Sequence, residues 1–172
     1  QEHQVIPDIV TLGKPMGNGH PIAAVVTTDK IASSFNNGME YFNSFGGNPV
    51  SCAVGKSVLE VIENERLQEN ALNVGKYFLN KLEKIKLKNK KYISEVRGRG
   101  LFIGIDIIKN SNHLEPNNQL AKKIINFMRD KGILLSTDGP YDNVIKIKPP
   151  LVFNKENVDK VCENLDNFFR KI

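Results

Sequence analysis

Cysteine is scarce in this chain, and the two that occur, Cys52 and Cys162, show no metal-ligand spacing. Each falls in a segment with amphipathic helical periodicity, where a buried free thiol is expected rather than a disulfide. That pattern points to a reducing compartment, the cytoplasm or the mitochondrial matrix. No apolar run is long enough to span a membrane, and no signal peptide opens the chain. Internal repeats and low-complexity stretches are absent as well, which excludes solenoid and disordered classes. The three histidines, His3, His20 and His113, are scattered, and His20 reads as an incidental loop residue.

The chain has 172 residues, 40% of them apolar and 25% charged, the balance of an ordinary globular protein with a sizeable core. The net charge of +5 is concentrated in a lysine-rich stretch around 83–91, which reads as a solvated helix end. Interleaved arginine and aromatic residues, which a nucleic-acid surface would need, are lacking there. The start at Gln1-Glu2-His3 carries no methionine and runs quickly into a strand pattern, as expected of a cut within a longer protein.

Periodicity divides the chain into two kinds of region. Ile9 to Leu12 is a short β-branched run that reads as a buried strand, followed by the turn Gly13-Lys14-Pro15-Met16-Gly17-Asn18-Gly19. Ile22 to Thr28 reads as a second strand, and nothing elsewhere in the chain is an evident sheet neighbour for either. A helix is expected from Pro49, with Val54, Val58 and Val61 on one face, and another from Arg66 to Ile85. Beyond it, Tyr92–Val96 and Leu101–Ile108 read as strands separated by Arg97-Gly98-Arg99-Gly100. A helix over 118–131, short strands at Ile133–Leu135 and Val144–Ile147, and a final helix capped by Asn154 complete the pattern. The expected organisation is a part of a larger α/β domain over 1–87 and a small α/β domain over 88–172, hinged near 83–91.

Lys14 sits just after a strand, in a turn with three glycines, where an amine can project while the backbone closes around it. Amine chemistry on carbonyls requires such a lysine. Ser44-Phe45-Gly46-Gly47-Asn48-Pro49 combines a hydroxyl, glycine N–H groups and a helix start, the elements of a phosphate site. By themselves, an exposed loop lysine and an ordinary helix entry are the alternatives.

The longer strings resolve the choice. Asp8-Ile-Val-Thr-Leu-Gly-Lys14-Pro-Met-Gly-Asn-Gly-His-Pro21 resembles the cofactor-lysine segment of the class III pyridoxal-phosphate-dependent aminotransferases. Ser44 to Pro49 resembles the family's threonine-aromatic-glycine-glycine-asparagine-proline motif with serine in place of threonine, and Val96 to Leu101 is similar to the first strand turn of its small domain. The resemblance implies an α/β fold: the C-terminal part of a fold type I transferase, the end of the large domain plus the small one. It implies pyridoxal 5'-phosphate as cofactor, Lys14 as the Schiff-base lysine, and a homodimer in which Ser44 reaches the cofactor phosphate of the partner subunit. An amino donor and a keto acid are the implied substrates. Where many members have a carboxylate-gripping arginine three residues before a Pro-Pro pair, this chain has Lys146, a point charge instead of a fork. Lys146 is therefore the expected substrate-binding residue, with a solvent-facing strand lysine as the alternative. The segment 134–150 is similar to the alanine–glyoxylate aminotransferase 2-like subgroup, some of whose members are phospho-lyases acting on phosphoethanolamine or phosphohydroxylysine. The family's ring-nitrogen aspartate, stacking aromatic and glycine-serine turn lie upstream of the lysine segment, and only thirteen residues precede Lys14. The chain alone is thus expected to be inactive. A truncated, non-catalytic dimerisation partner is the reading from another class.

Overall fold

The computed structural model describes residues 3–172 and divides them into two compact units, one ending at Glu65 and the other running from Arg66 to Ile172. In the first unit, β1 (Ile9–Leu12) pairs antiparallel with β2 (Ala24–Thr27), Ile9 opposite Thr27 and Leu12 opposite Ala24. Between them lies a 3-10 turn, Lys14–Gly17. Helices α1 (Asp29–Phe35) and α2 (Pro49–Asn64) follow. The two expected strands form and pair with each other, and with no further sheet neighbour among the described residues Ile9, Val10, Leu12, Val25 and Val26 are all exposed. The β-branched pattern is that of sheet interior, but two strands with no layer over them among the described residues cannot exclude water from either face. Val61 and Cys52 are likewise exposed on α2, against the expectation that both are covered.

The second unit owes its stability to one face of a sheet. Helix α3 (Leu67–Lys88) leads into β3 (Ile93–Arg99) and β4 (Phe102–Ile107); α4 (Asn118–Asp130), β5 (Ser136–Asp138), β6 (Val144–Ile147) and α5 (Lys155–Phe169) complete it. The strands form one antiparallel sheet in the order β3-β4-β6-β5. Ile103, Ile105, Ile107, Ile145 and Ile147 alternate onto the same face and are buried. Phe78 and Leu82 of α3, Ile124 and Met128 of α4, and Val158 and Leu165 of α5 join them in one core. Each such side chain contributes on the order of 1.5–3 kcal/mol by leaving water. Cys162 belongs to this core, and burial pushes its thiol up to about 12. Asn154 caps α5 with a reciprocal capping box through Asn157, as its position suggested.

Helix α3 buries its Val74–Phe78–Leu82–Ile85 stripe in the second unit, and Arg66, at φ 50°, separates α2 from α3. Two strand boundaries differ from the sequence reading, each for a packing reason. The Arg97–Gly100 segment is not all turn: β3 continues to Arg99, paired with Phe102, and the hairpin reverses at Gly100 and Leu101. Ile133 and Leu135 are part-buried against the core but unpaired, and strand pairing begins only at Ser136. Among the described residues no helix is long and apolar enough to cross a membrane.

The closest backbone approach in this unit is α3 against the β3–β4 hairpin. A Cβ on Gly75 would stand 2.1 Å from the Gly100 carbonyl oxygen, a contact that only a backbone shift can relieve. Gly75→Ala is therefore expected to destabilise the second unit by roughly 1–3 kcal/mol, despite alanine's better helix propensity. Urea denaturation beside the solvent-facing control Lys76→Ala measures it. Equal midpoints for the two variants would contradict the packing account.

Candidate functional site

Lys14 opens the 3-10 turn at φ 42°, in the left-handed region that costs a side-chain-bearing residue energy. The turn is fixed behind it. Met16 N–H donates to Gly13 O at 3.3 Å, Asn18 N–H to Pro15 O at 3.0 Å, and His20 N–H to Gly17 O at 3.0 Å. Gly17 is buried because Ile22 fills the place where a Cβ would sit, 2.6 Å from the Ile22 Cγ2. Ile22 also reaches Gly55 of α2, and His20 Nε2 shares a 2.8 Å hydrogen bond with Ser51 Oγ. His20 is thus not incidental: it ties the lysine turn to the start of α2. Lys14 itself is exposed, and no carboxylate among the described residues pairs with its amine.

Ser44 lies in the loop that enters the same helix. Asn43 Oδ1 accepts the N–H groups of Phe45 at 3.1 Å and Gly46 at 3.0 Å, which folds the loop back on itself. Asn48 caps α2 by accepting from Ser51 N–H at 3.1 Å, and Pro49 takes the first helical position. The Ser44 hydroxyl and the Gly47 N–H are left without partners among the described residues. A phosphorylated aldehyde cofactor needs an accessible amine on one side and unspent donors on the other. Lys14 offers the amine and the Ser44 loop offers the donors, each suited to one of those needs, and α2 carries both: the lysine turn packs against it and the loop runs into it.

Lys146 is on β6, in the second unit, so its surroundings are those of the open sheet face. Gly104 is its neighbour on β4, and Arg97 is Gly104's neighbour on β3, so one row across the sheet reads Arg97, Gly104, Lys146, Ser136. These side chains face away from the helices. Arg97, Gly104 and Lys146 edge a cleft of about 450 Å³ that also takes in Phe102, Asp138 and Gly139. Lys146 does not simply face solvent. Its Nζ donates to Asp138 Oδ2 at 2.8 Å, with the side chain one-third exposed (32%). Arg97 Nη1 donates to Asp106 Oδ2 at 2.7 Å and Glu95 Oε2 at 2.9 Å, and Asp106 in particular holds the guanidinium's pKa up.

Asn43 and Asp138 shape these places without being singled out in the sequence, and Asn48, part of the Ser44–Pro49 motif, is the cap of α2. The signal for Asp138 was available: Asp138-Gly139-Pro140-Tyr141-Asp142-Asn143 is a turn, and the strands it joins bring positions 138 and 146 onto one face.

The fold is that of the C-terminal portion of a fold type I pyridoxal-phosphate-dependent transferase. The aminotransferase class-III profile matches residues 1–169, and the chain belongs to that family. It is 48% identical over 162 residues to an alanine–glyoxylate aminotransferase 2-like protein of Drosophila melanogaster, covering 93% of this chain and 33% of the fly protein. Ethanolamine-phosphate phospho-lyase homolog 1 of Caenorhabditis elegans is 44% identical, over 94% of this chain and 34% of the worm protein. A phospholyase from Arthrobacter, solved in complex with phosphoethanolamine, superposes with a TM-score of 0.92 at 45% identity, over 98% of this chain and 40% of that one. The chain thus spans about a third of the length of the curated relatives it matches.

The cap that shapes the Ser44 loop can be tested separately from chemistry. Asn48→Ala removes the Ser51 N–H acceptor and is expected to cost on the order of 1 kcal/mol. Hydrogen exchange should then speed up at the first turn of α2, while α3 to α5 remain protected. Unchanged exchange at Ser51 and Cys52 would show that the cap contributes nothing.

Proposed function

We propose that this chain is the lysine-bearing portion of a class III pyridoxal-phosphate enzyme that transfers an amino group from an amino donor to a keto acid or aldehyde. The observation that carries the reading is the Lys14 amine: accessible, without an ionic partner among the described residues, and on a turn braced against α2. Lys14 would hold the cofactor covalently, and Ser44 would donate to the cofactor phosphate of a partner subunit. The bound cofactor supplies an electron sink for charge developing on the substrate carbon. Lys14 Nζ would be the base that takes the proton from the amine-bearing carbon and would deliver it at the cofactor's aldehyde carbon, the shift that moves the amino group off the donor. The braced turn keeps that amine in one place through both transfers. Coverage of only a third of the relatives supports the view that the remaining cofactor contacts lie outside these residues and that the chain is inactive alone. A homodimer is the assembly this assigns, and the unpaired cysteines support a reducing compartment, cytoplasm or mitochondrial matrix.

In a protein carrying these residues at full family length, Lys14→Ala is expected to lower turnover by at least a thousandfold, about 4 kcal/mol. Borohydride reduction followed by peptide mapping should fix the cofactor on Lys14. Label on another lysine overturns the assignment. A protein that dimerises with a full-length subunit yet acquires no label in any assembly would instead be a non-catalytic partner.

A second reading, elimination of phosphate from a phosphorylated amine, is favoured by the 45% identity to the Arthrobacter phospholyase. Lys146 in place of an arginine suits it, since a point charge serves phosphate where a fork serves carboxylate. The same proton removal by Lys14 would begin it; the C–O bond then breaks and phosphate leaves with the electron pair. Phosphate release from O-phosphoethanolamine and phosphohydroxylysine, measured beside alanine–glyoxylate transamination, separates the two. Lys146→Arg is expected to shift preference toward carboxylate-bearing donors by roughly tenfold, about 1.4 kcal/mol. Robust transamination with no phosphate release and no response to Lys146→Arg would exclude both the elimination and the residue's role.

A further inference from the structure

The cleft on the open sheet face has cations on both walls, and the two whose partners are described are tied to carboxylates. On the β3 side Arg97 is held by Asp106 and Glu95. On the β6 side Lys146 is held by Asp138 at 2.8 Å. The second pair is built differently from an ordinary surface contact. Asp138 is anchored independently of the lysine, because its Oδ1 accepts the Gly139 N–H at 2.9 Å, where the chain turns at φ 84°. Only Oδ2 is given to Lys146. Gly104 stands between Lys146 and Arg97 in the row across the sheet and contributes no side chain of its own; the Val144 Cγ1, 3.2 Å from where a Gly104 Cβ would be, is the apolar neighbour of that space. A lysine that left Asp138 could turn toward that space, whereas Asp138 cannot follow it without losing its backbone bond.

We propose that Asp138 is a positioning residue that gates Lys146: it holds the ammonium in a closed ion pair until a substrate phosphoryl group in the cleft takes the lysine over. This rests on the reading of Lys146 as a substrate-binding group. The exchange breaks one lysine–carboxylate contact and forms one lysine–phosphate contact. A carboxylate monoanion gains about what the lysine gives up. A phosphate dianion gains more, because its attraction to a unit cation scales with its charge. Asp138 therefore sets a threshold that weakly charged ligands do not pass at ordinary concentration. The lowered pKa of Asp138, caused first by Lys146 and then by the Gly139 N–H, agrees with a carboxylate that stays ionised and keeps the gate closed.

The test uses the full-length enzyme and inorganic phosphate as probe, with binding measured by calorimetry and competitive inhibition measured in parallel. Asp138→Asn retains an oxygen for the Gly139 N–H, so the turn should persist, and a melting curve checks that it does. Asp138→Asn is expected to tighten phosphate binding about threefold to fivefold, the range an exposed ion pair allows. KM for the phosphorylated substrate should fall correspondingly with kcat little changed. The same substitution in a Lys146→Met background should have no effect, since there is no longer an ammonium to release. Unchanged or weaker phosphate binding in Asp138→Asn overturns the gate while leaving the role of Lys146 intact, provided Lys146→Met alone weakens binding. If Lys146→Met binds phosphate as the wild type does, the lysine reading itself fails and the gate fails with it.

Discussion

A four-stranded antiparallel sheet covered on one face must sort its side chains by strand parity, and the second unit follows from that requirement. The isoleucines of β4 and β6 occupy the covered parity and close over α3, α4 and α5. The other parity then carries whatever the sequence places there, in aqueous surroundings. Here that is Arg97, Gly104, Lys146 and Asp138, and they edge a cleft. A one-residue slip of β6 would exchange Lys146 with Ile145 and destroy core and cleft together. The burial of five isoleucines thus holds Lys146 in its orientation more firmly than any contact made by the lysine itself.

The first unit is governed by a different constraint. Its two strands are apolar on both faces and are covered on neither, so the order around Lys14 comes from the turn and from α2. Gly17 admits Ile22, Ile22 reaches Gly55, and His20 meets Ser51. These small contacts brace a lysine backbone held at positive φ. The same helix receives the Ser44 loop through the Asn48 cap, so an amine and a hydroxyl distant in sequence are both referred to one rigid element.

Much of this was legible before any coordinates. Helices α3 and α5 announced themselves by apolar spacing, and Asn154 by its place ahead of the Val158–Leu165 stripe. Lys14 and Ser44 were picked out as candidates because each sits in a run of turn-forming residues that resembles a family motif. The failures share one cause: local pattern reports propensity but not neighbours. Ile9 and Val26 look like interior residues and are not covered, and Ile133–Leu135 looks like a strand although strand pairing begins only at Ser136.

By itself the sequence determined the identity and spacing of the candidate groups and the faces of the helices, because periodicity and turn chemistry are local properties of the chain. Tertiary structure decided which polar groups meet. The union of Lys146 with Asp138, of Arg97 with Asp106, and of His20 with Ser51 each depends on strand register or on helix docking across many residues. Register is set by the sum of buried contacts over a whole face, and no short stretch of sequence contains that sum.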